Sequence, residues 1–137
     1  LALEVHIGAR YQLYPYLHDE MGAAFSCANL VLSRAVASTL GELPFYGLPA
    51  ILVPYPYAWR YQKVNANHLT QSGAALTVEN NELSDRLGAL VDELLSDPQR
   101  LTDMGKKMGV MAAPDAARKI ADLLVLLAEE QGKERRA

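Results

Sequence analysis

Short apolar runs alternate with helix-period stretches along most of this chain. Leu3-Glu4-Val5-His6-Ile7 alternates apolar and polar positions and stops at Gly8, which predicts a strand. Gln12 to Leu17, with Pro15 inside it, predicts at most a short or edge strand. From Asp19 to Ala28 the spacing is helical, with Met21, Ala24, Phe25 and Ala28 on one face. Leu30-Val31-Leu32 is a continuous apolar run of the kind buried in parallel sheets. Ala37 to Tyr46 predicts a helix closed by Gly47, a residue suited to the left-handed position after a helix end. Pro49 then leads into a second buried strand, Ala50 to Val53, which Pro54 and Pro56 stop.

The second half follows the same alternation. Tyr61 to Ser72 predicts a helix ending at Gly73, with a weak strand after it at Ala74 to Val78. Ser84 to Ser96 is amphipathic, and Leu87, Leu90, Val91, Leu94 and Leu95 are expected to face inward. Asp97 and Pro98 form an N-cap and first-turn pair for a helix reaching about Met108. Pro114 opens a last helix through Glu130, striped by Ile120, Leu123, Leu124 and Leu127. Strand–helix alternation of this kind predicts an α/β fold, a parallel sheet with helices on both faces. No internal repeat or linker interrupts it, so residues 1–130 read as one domain and residues 131–137 as a polar, frayed tail.

Composition narrows the class. With 50% hydrophobic residues in 137, the chain can bury a core, which excludes wholesale disorder. Its 13 basic against 16 acidic residues give a net charge of −3, and the basic residues are scattered. Nucleic-acid binders concentrate Lys and Arg against phosphates, so that class is set aside. A lone Cys27 forms no internal disulfide and points to a reducing compartment. The longest apolar run, Leu48 to Trp59, holds three prolines and falls short of a membrane span. Residues 1–10 lack a signal-peptide layout, and the chain opens on Leu, which suggests a piece of something longer.

Ligands of open α/β sheets sit at the carboxyl ends of the strands. Two segments lie there by sequence. Ser33 to Thr39 is a loop of small residues that runs into a helix N-terminus, whose free N–H groups and partial positive charge suit a phosphate. Pro54 to Arg60 is aromatic, and Tyr55, Tyr57, Trp59 and Tyr61 alternate through it. Those rings either wall a binding site or cover the sheet edge. Glu42 either accepts hydrogen bonds from the vicinal hydroxyls of a ribose or closes a capping box on Thr39. Gln62 and Asn65 either bond sugar hydroxyls from one helix face or simply meet water. His6, His18 and His68 have no metal-ligand spacing, and no nucleophile elbow, Walker loop or dinucleotide glycine motif appears.

Several of these segments, taken in order, resemble one family. Ala28 to Leu43 resembles the "ADLVISRAGASTxxEL" signature of the MurG family, and Gly47 to Pro56 resembles its "GLPAILVPxP". Gln62-Lys63-Val64-Asn65-Ala66 corresponds to its "Q-x-x-N-A", Gly73-Ala74-Ala75 to its "GAA", and Pro114 to Ala117 to its "PDAA". The similarity runs from about Tyr14 to Leu127.

The resemblance implies a GT-B glycosyltransferase of two Rossmann-like domains. This chain would be most of the C-terminal, donor-binding domain, without its first strand–helix unit. Such enzymes transfer N-acetylglucosamine from UDP-GlcNAc to lipid I with inversion, giving lipid II at the cytoplasmic face of the bacterial plasma membrane. By position, Glu42 would take the ribose hydroxyls. The loop Ser33, Arg34, Ala35, Val36, Ala37 and Ser38 would lie near the diphosphate and sugar. Gln62 would hold GlcNAc hydroxyls with Asn65 in support, a backbone N–H near Leu17 or His18 would read uracil, and Met21 would lie against the nucleoside.

No cofactor is implied beyond the donor substrate, and no catalytic base. Lipid I and the peripheral membrane contact would belong to an N-terminal domain outside this sequence. Val36 departs from the family, which has glycine there. A β-branched residue resists positive φ and adds bulk, so a donor loop that needed that glycine would bind more weakly. Two alternatives to the transferase follow: a degenerate domain that binds a partner or nothing, and another UDP-sugar enzyme of the same fold.

Overall fold

The computed structural model describes residues 11–57 and 60–134. The expected strand at residues 3–7, with His6, and the ring of Trp59 lie outside the described residues, as do residues 135–137 of the tail. The chain order is α1 (Met21–Cys27), β1 (Val31–Ser33), α2 (Thr39–Tyr46), β2 (Ala50–Leu52), α3 (Tyr61–Gln71), β3 (Ala75–Thr77), α4 (Leu83–Leu95), α5 (Pro98–Val110) and α6 (Ala116–Glu134). A 3-10 turn at Asn80–Glu82 precedes α4.

The strands form a parallel sheet in the order β1-β2-β3, in register Val31–Ala50–Ala75 through Ser33–Leu52–Thr77. Central strand β2 is buried throughout, and its side chains alternate between two cores, as a two-residue period requires. Ala50 and Leu52 join Leu43, Ala66, Leu69 and Met108 on one side. Ile51 meets Val78, Leu94 and Met104 on the other, with Leu87, Leu90 and Val91 partly buried beside them. Helices therefore cover both faces, which is the Rossmann-like arrangement the alternating pattern predicts.

Local chemistry sets the helix ends. The Asp97 carboxylate accepts from the Arg100 N–H at 2.9 Å, with Pro98 in the first turn of α5. Gly47 ends α2 at φ 59°, a left-handed conformation in which a side chain is strained. Pro44, inside α2, has no N–H to donate to Leu40, and the helix stops two residues later. Gly105 of α5 lies against the Gly47 turn: a Cβ there would stand 2.8 Å from the Gly47 carbonyl oxygen. Gly105→Ala must therefore push α5 away from the turn that feeds β2. The expected cost is about 1–3 kcal/mol, read as a fall of several degrees in a thermal melt followed by circular dichroism.

Five expectations need correction. Gln12 to Leu17 forms no strand; Pro15 and the exposed Tyr14 and Tyr16 leave it irregular. Helix α1 is shorter than expected and buries no residue fully; only Phe25 and Ala28 of its predicted face pack on the core, and Met21 is 37% exposed. Leu95 is 53% exposed, because its neighbour Leu94 takes the inward position at the end of α4. The stripe of α6 is not buried: Ile120, Leu123, Leu124 and Leu127 are all exposed among the described residues. Helix α6 also runs on to Glu134, four residues beyond the expected end. No helix among the described residues is long and apolar enough to cross a membrane.

Candidate donor-binding site

The carboxyl ends of the three strands are Ser33, Leu52 and Thr77, and the loops leaving β1 and β2 rise side by side from them. The Val53 N–H donates to the Ser33 carbonyl at 2.9 Å, which continues the pairing past the strands into the loops. The first loop then tightens into α2. The N–H of Thr39 donates to the Val36 carbonyl at 3.2 Å and that of Leu40 to the Ala37 carbonyl at 3.2 Å. The Thr39 hydroxyl also donates to the Val36 carbonyl. Val36 itself sits in the turn with its side chain 40% exposed, so its bulk displaces none of the core.

Glu42 resolves one of the two-way readings. The N-cap of α2 is Ser38, not Thr39, so Glu42 is one residue too late for the capping box. Its side chain makes no cap hydrogen bond, and it has no ion pair among the described residues. The carboxylate is therefore unengaged, one helical turn from Ser38. It lines a cavity of about 530 Å³ with Ala37, Ser38, Phe45 and the Pro114 segment that opens α6.

Three side chains tie the two loops to each other or to α3. Arg34 donates from Nη1 to the Val53 carbonyl at 3.1 Å, and its guanidinium carbon stands 5.4 Å from the centre of the Tyr55 ring. Gln62 accepts the Tyr55 N–H on Oε1 at 2.8 Å. Asn65 donates from Nδ2 to the Ala35 carbonyl at 2.9 Å. Since a backbone N–H can only donate, Gln62 must turn its oxygen inward, leaving its NH2 as the outward group. An amide so placed donates to hydroxyl oxygens.

Other candidates lie apart. Ser33 and Arg34 line a separate cavity of about 500 Å³ with Leu32, Val53 and Leu87. Leu17 lines a third, of about 390 Å³, with Ala23, Ala24 and Cys27 on the exposed face of α1. His18 is exposed, with its ring 4.3 Å from that of Tyr16, and its carbonyl accepts the Met21 N–H at 3.3 Å. Tyr57 and Tyr61 are largely exposed, and Tyr57 meets Tyr55 edge-on at 5.6 Å. No cluster of three or more potential metal ligands forms among the described residues.

Phe45 was not legible as a candidate, and Tyr55 was not separable from its aromatic neighbours. Phe45, 62% exposed, shares the Glu42 cavity; its spacing of three from Glu42 on a helix is the signal that places both on one face. Tyr55 holds two of the three ties, and nothing in a proline-broken aromatic run distinguishes it from Tyr57.

Comparisons with known proteins converge on one family. The glycosyltransferase family 28 C-terminal domain matches residues 4–120. A UDP-N-acetylglucosamine–N-acetylmuramyl-(pentapeptide) pyrophosphoryl-undecaprenol N-acetylglucosamine transferase of Chlorobium limicola is 40% identical over 128 residues, covering 92% of this chain and 35% of the relative. The protein of the same name from Myxococcus xanthus is 43% identical over 109 residues, 78% of this chain and 28% of its own. In structure the chain is similar to Acinetobacter baumannii MurG, with a TM-score of 0.74 and 33% identity over 82% of this chain and 32% of that one. The chain thus spans about a third of the length of the curated relatives it matches.

Proposed function

From the premise that this chain belongs to the glycosyltransferase family 28 C-terminal domains, we propose that it is the donor-binding part of an inverting N-acetylglucosaminyltransferase. The donor is UDP-GlcNAc and the acceptor is lipid I, which becomes lipid II. The observation that carries this reading is Glu42: a carboxylate left free by its own helix, in a cavity beside the helix N-terminus.

The arrangement supports a division of labour. Glu42 accepts from both ribose hydroxyls, while the N–H groups from Ala37 and Ser38 face the diphosphate. Gln62 donates to the sugar hydroxyls, with Asn65 supporting the Ser33–Ser38 loop from below through Ala35. Leu17 or His18 and Met21 would serve the uracil end. In the reaction the acceptor hydroxyl oxygen bonds to the anomeric carbon as the bond to the diphosphate oxygen breaks, and UDP leaves with the electron pair. Helix-end N–H groups stabilise the charge that grows on that leaving group. The acceptor, the base that takes its proton and the peripheral contact with the cytoplasmic face of the membrane belong to the rest of such an enzyme.

Calorimetric titration of the chain with UDP-GlcNAc, against ADP-glucose as control, tests the reading. Selective binding of UDP-GlcNAc is expected. Equal binding of both nucleotide sugars, or of neither by a folded sample, would remove it.

A further inference from the structure

We propose that Arg34 and Tyr55 form a latch that fixes the sugar-facing orientation of Gln62, so that both are positioning residues for recognition of the donor's sugar. The proposal rests on the donor-binding reading above and concerns how that site tells UDP-GlcNAc from UDP.

The geometry is a chain of contacts that runs from Arg34 through Tyr55 to Gln62. Arg34 leaves the β1 end, donates to the Val53 carbonyl at the β2 end and lies over the Tyr55 ring. The next tie runs from the Tyr55 N–H to Gln62 Oε1, on the first turn of α3. Because Val53 and Tyr55 flank the buried Pro54, a cation bound at both points fixes the chain direction through that proline. The Tyr55 N–H is then held where only the Gln62 oxygen can meet it, and the amide NH2 is left to face outward.

Without the ring contact, the exposed segment beyond Pro54 loses its anchor. Tyr55 is only about half exposed, unlike Tyr57 at 80%, in keeping with a ring that packs on something rather than one that merely faces water. Glu42 takes no part in these contacts and lines a cavity that none of Arg34, Tyr55 and Gln62 borders. The latch therefore acts on the sugar end of the donor and not on the ribose.

The test compares the ratio of UDP to UDP-GlcNAc dissociation constants, measured by calorimetry on the full chain. Tyr55→Leu, which removes the ring face, is expected to lower the sugar-dependent preference by about two- to fivefold, the size of one exposed cation–ring contact. Tyr55→Phe keeps the face and restores the ratio. Arg34→Gln should behave like Tyr55→Leu. If instead Arg34 contacted the diphosphate, Arg34→Gln would weaken both nucleotides by one factor and leave the ratio alone, which would overturn the latch.

A ligand-free measurement stands beside it. Faster hydrogen exchange at the Tyr55 amide in Tyr55→Leu and Arg34→Gln, but not in Tyr55→Phe, is the expected signature. Exchange that stays the same in all three overturns the latch on its own. A wild-type chain that binds UDP-GlcNAc, with a ratio insensitive to Tyr55→Leu, overturns the latch and spares the donor-binding reading. A wild-type chain that binds no nucleotide removes both.

Discussion

Replacing Glu42 by alanine is expected to lower the affinity of the chain for both UDP and UDP-GlcNAc by about a hundredfold. The estimate rests on two hydrogen bonds from ribose hydroxyls to one charged carboxylate, each contributing about 1.5–3 kcal/mol, with non-additivity reducing the sum. Nothing in the fold depends on this side chain: it is exposed, it caps no helix and it pairs with no cation among the described residues. The melting temperature should therefore stay near that of the wild type, as surface substitutions away from caps and networks shift stability by only about 0.5 kcal/mol. Glu42→Gln retains an acceptor of the same shape without the charge and should fall between the two. Calorimetry with each nucleotide reads the effect, and an Glu42→Ala chain that binds as tightly as wild type would remove Glu42 from the ribose.

The adjacent residue should give the opposite phenotype. Leu43 is 1% exposed and packs with Ala35, Leu48, Leu52, Ala66 and Met108, so it joins α2 to the sheet and to α5. Leu43→Ala leaves a cavity at the centre of that core, at an expected cost of about 2–5 kcal/mol. Against a total stability of about 5–15 kcal/mol for a domain, the loss is large, and urea unfolding should show a midpoint shifted well down with a similar slope. Any nucleotide binding lost in Leu43→Ala should return as urea-free folded protein is enriched at low temperature, whereas the loss in Glu42→Ala should not. An unchanged urea midpoint would mean that α2 is held by contacts other than Leu43. The pair of neighbours thus separates the role proposed for the outer face of α2 from the packing of its inner face.

These contrasting roles come from helical geometry that is legible only in part from the sequence. The buried strand Ala50 to Val53 needs no more than its composition, whereas the inward place of Leu43 beside an exposed Phe45 does not follow from apolar character alone. Asp97 followed by Pro98 states its own helix start, and Gly47 its own helix end, because caps are local: the donors and acceptors they satisfy lie within a few residues. Parallel pairing also follows, since each strand is joined to the next through a helix.

The free state of Glu42 is different in kind. Whether it closes a capping box turned on a one-residue difference in where α2 begins, and the turn bonds from Thr39 and Leu40 back to Val36 and Ala37 excluded that role. Helix starts are the least specified feature of a local pattern, because neighbouring Ser and Thr are almost equally good caps.

Only the tertiary structure placed Arg34 over Tyr55, 21 positions away, since the two meet when β1 and β2 pair, and only the path of the chain between β2 and α3 brought Gln62 to the Tyr55 N–H. It also left the apolar stripe of α6 exposed, and let Leu94 rather than Leu95 enter the core. A hydrophobic period shows that a face is built to be covered; what covers it is set by elements distant in sequence. The sequence by itself determined most of the elements, the helix start at Asp97, the helix end at Gly47 and the alternation of the sheet, whose causes are local. Which polar side chains remained free to meet a ligand was decided by the folded chain, since freedom is what is left after every long-range partner has been taken.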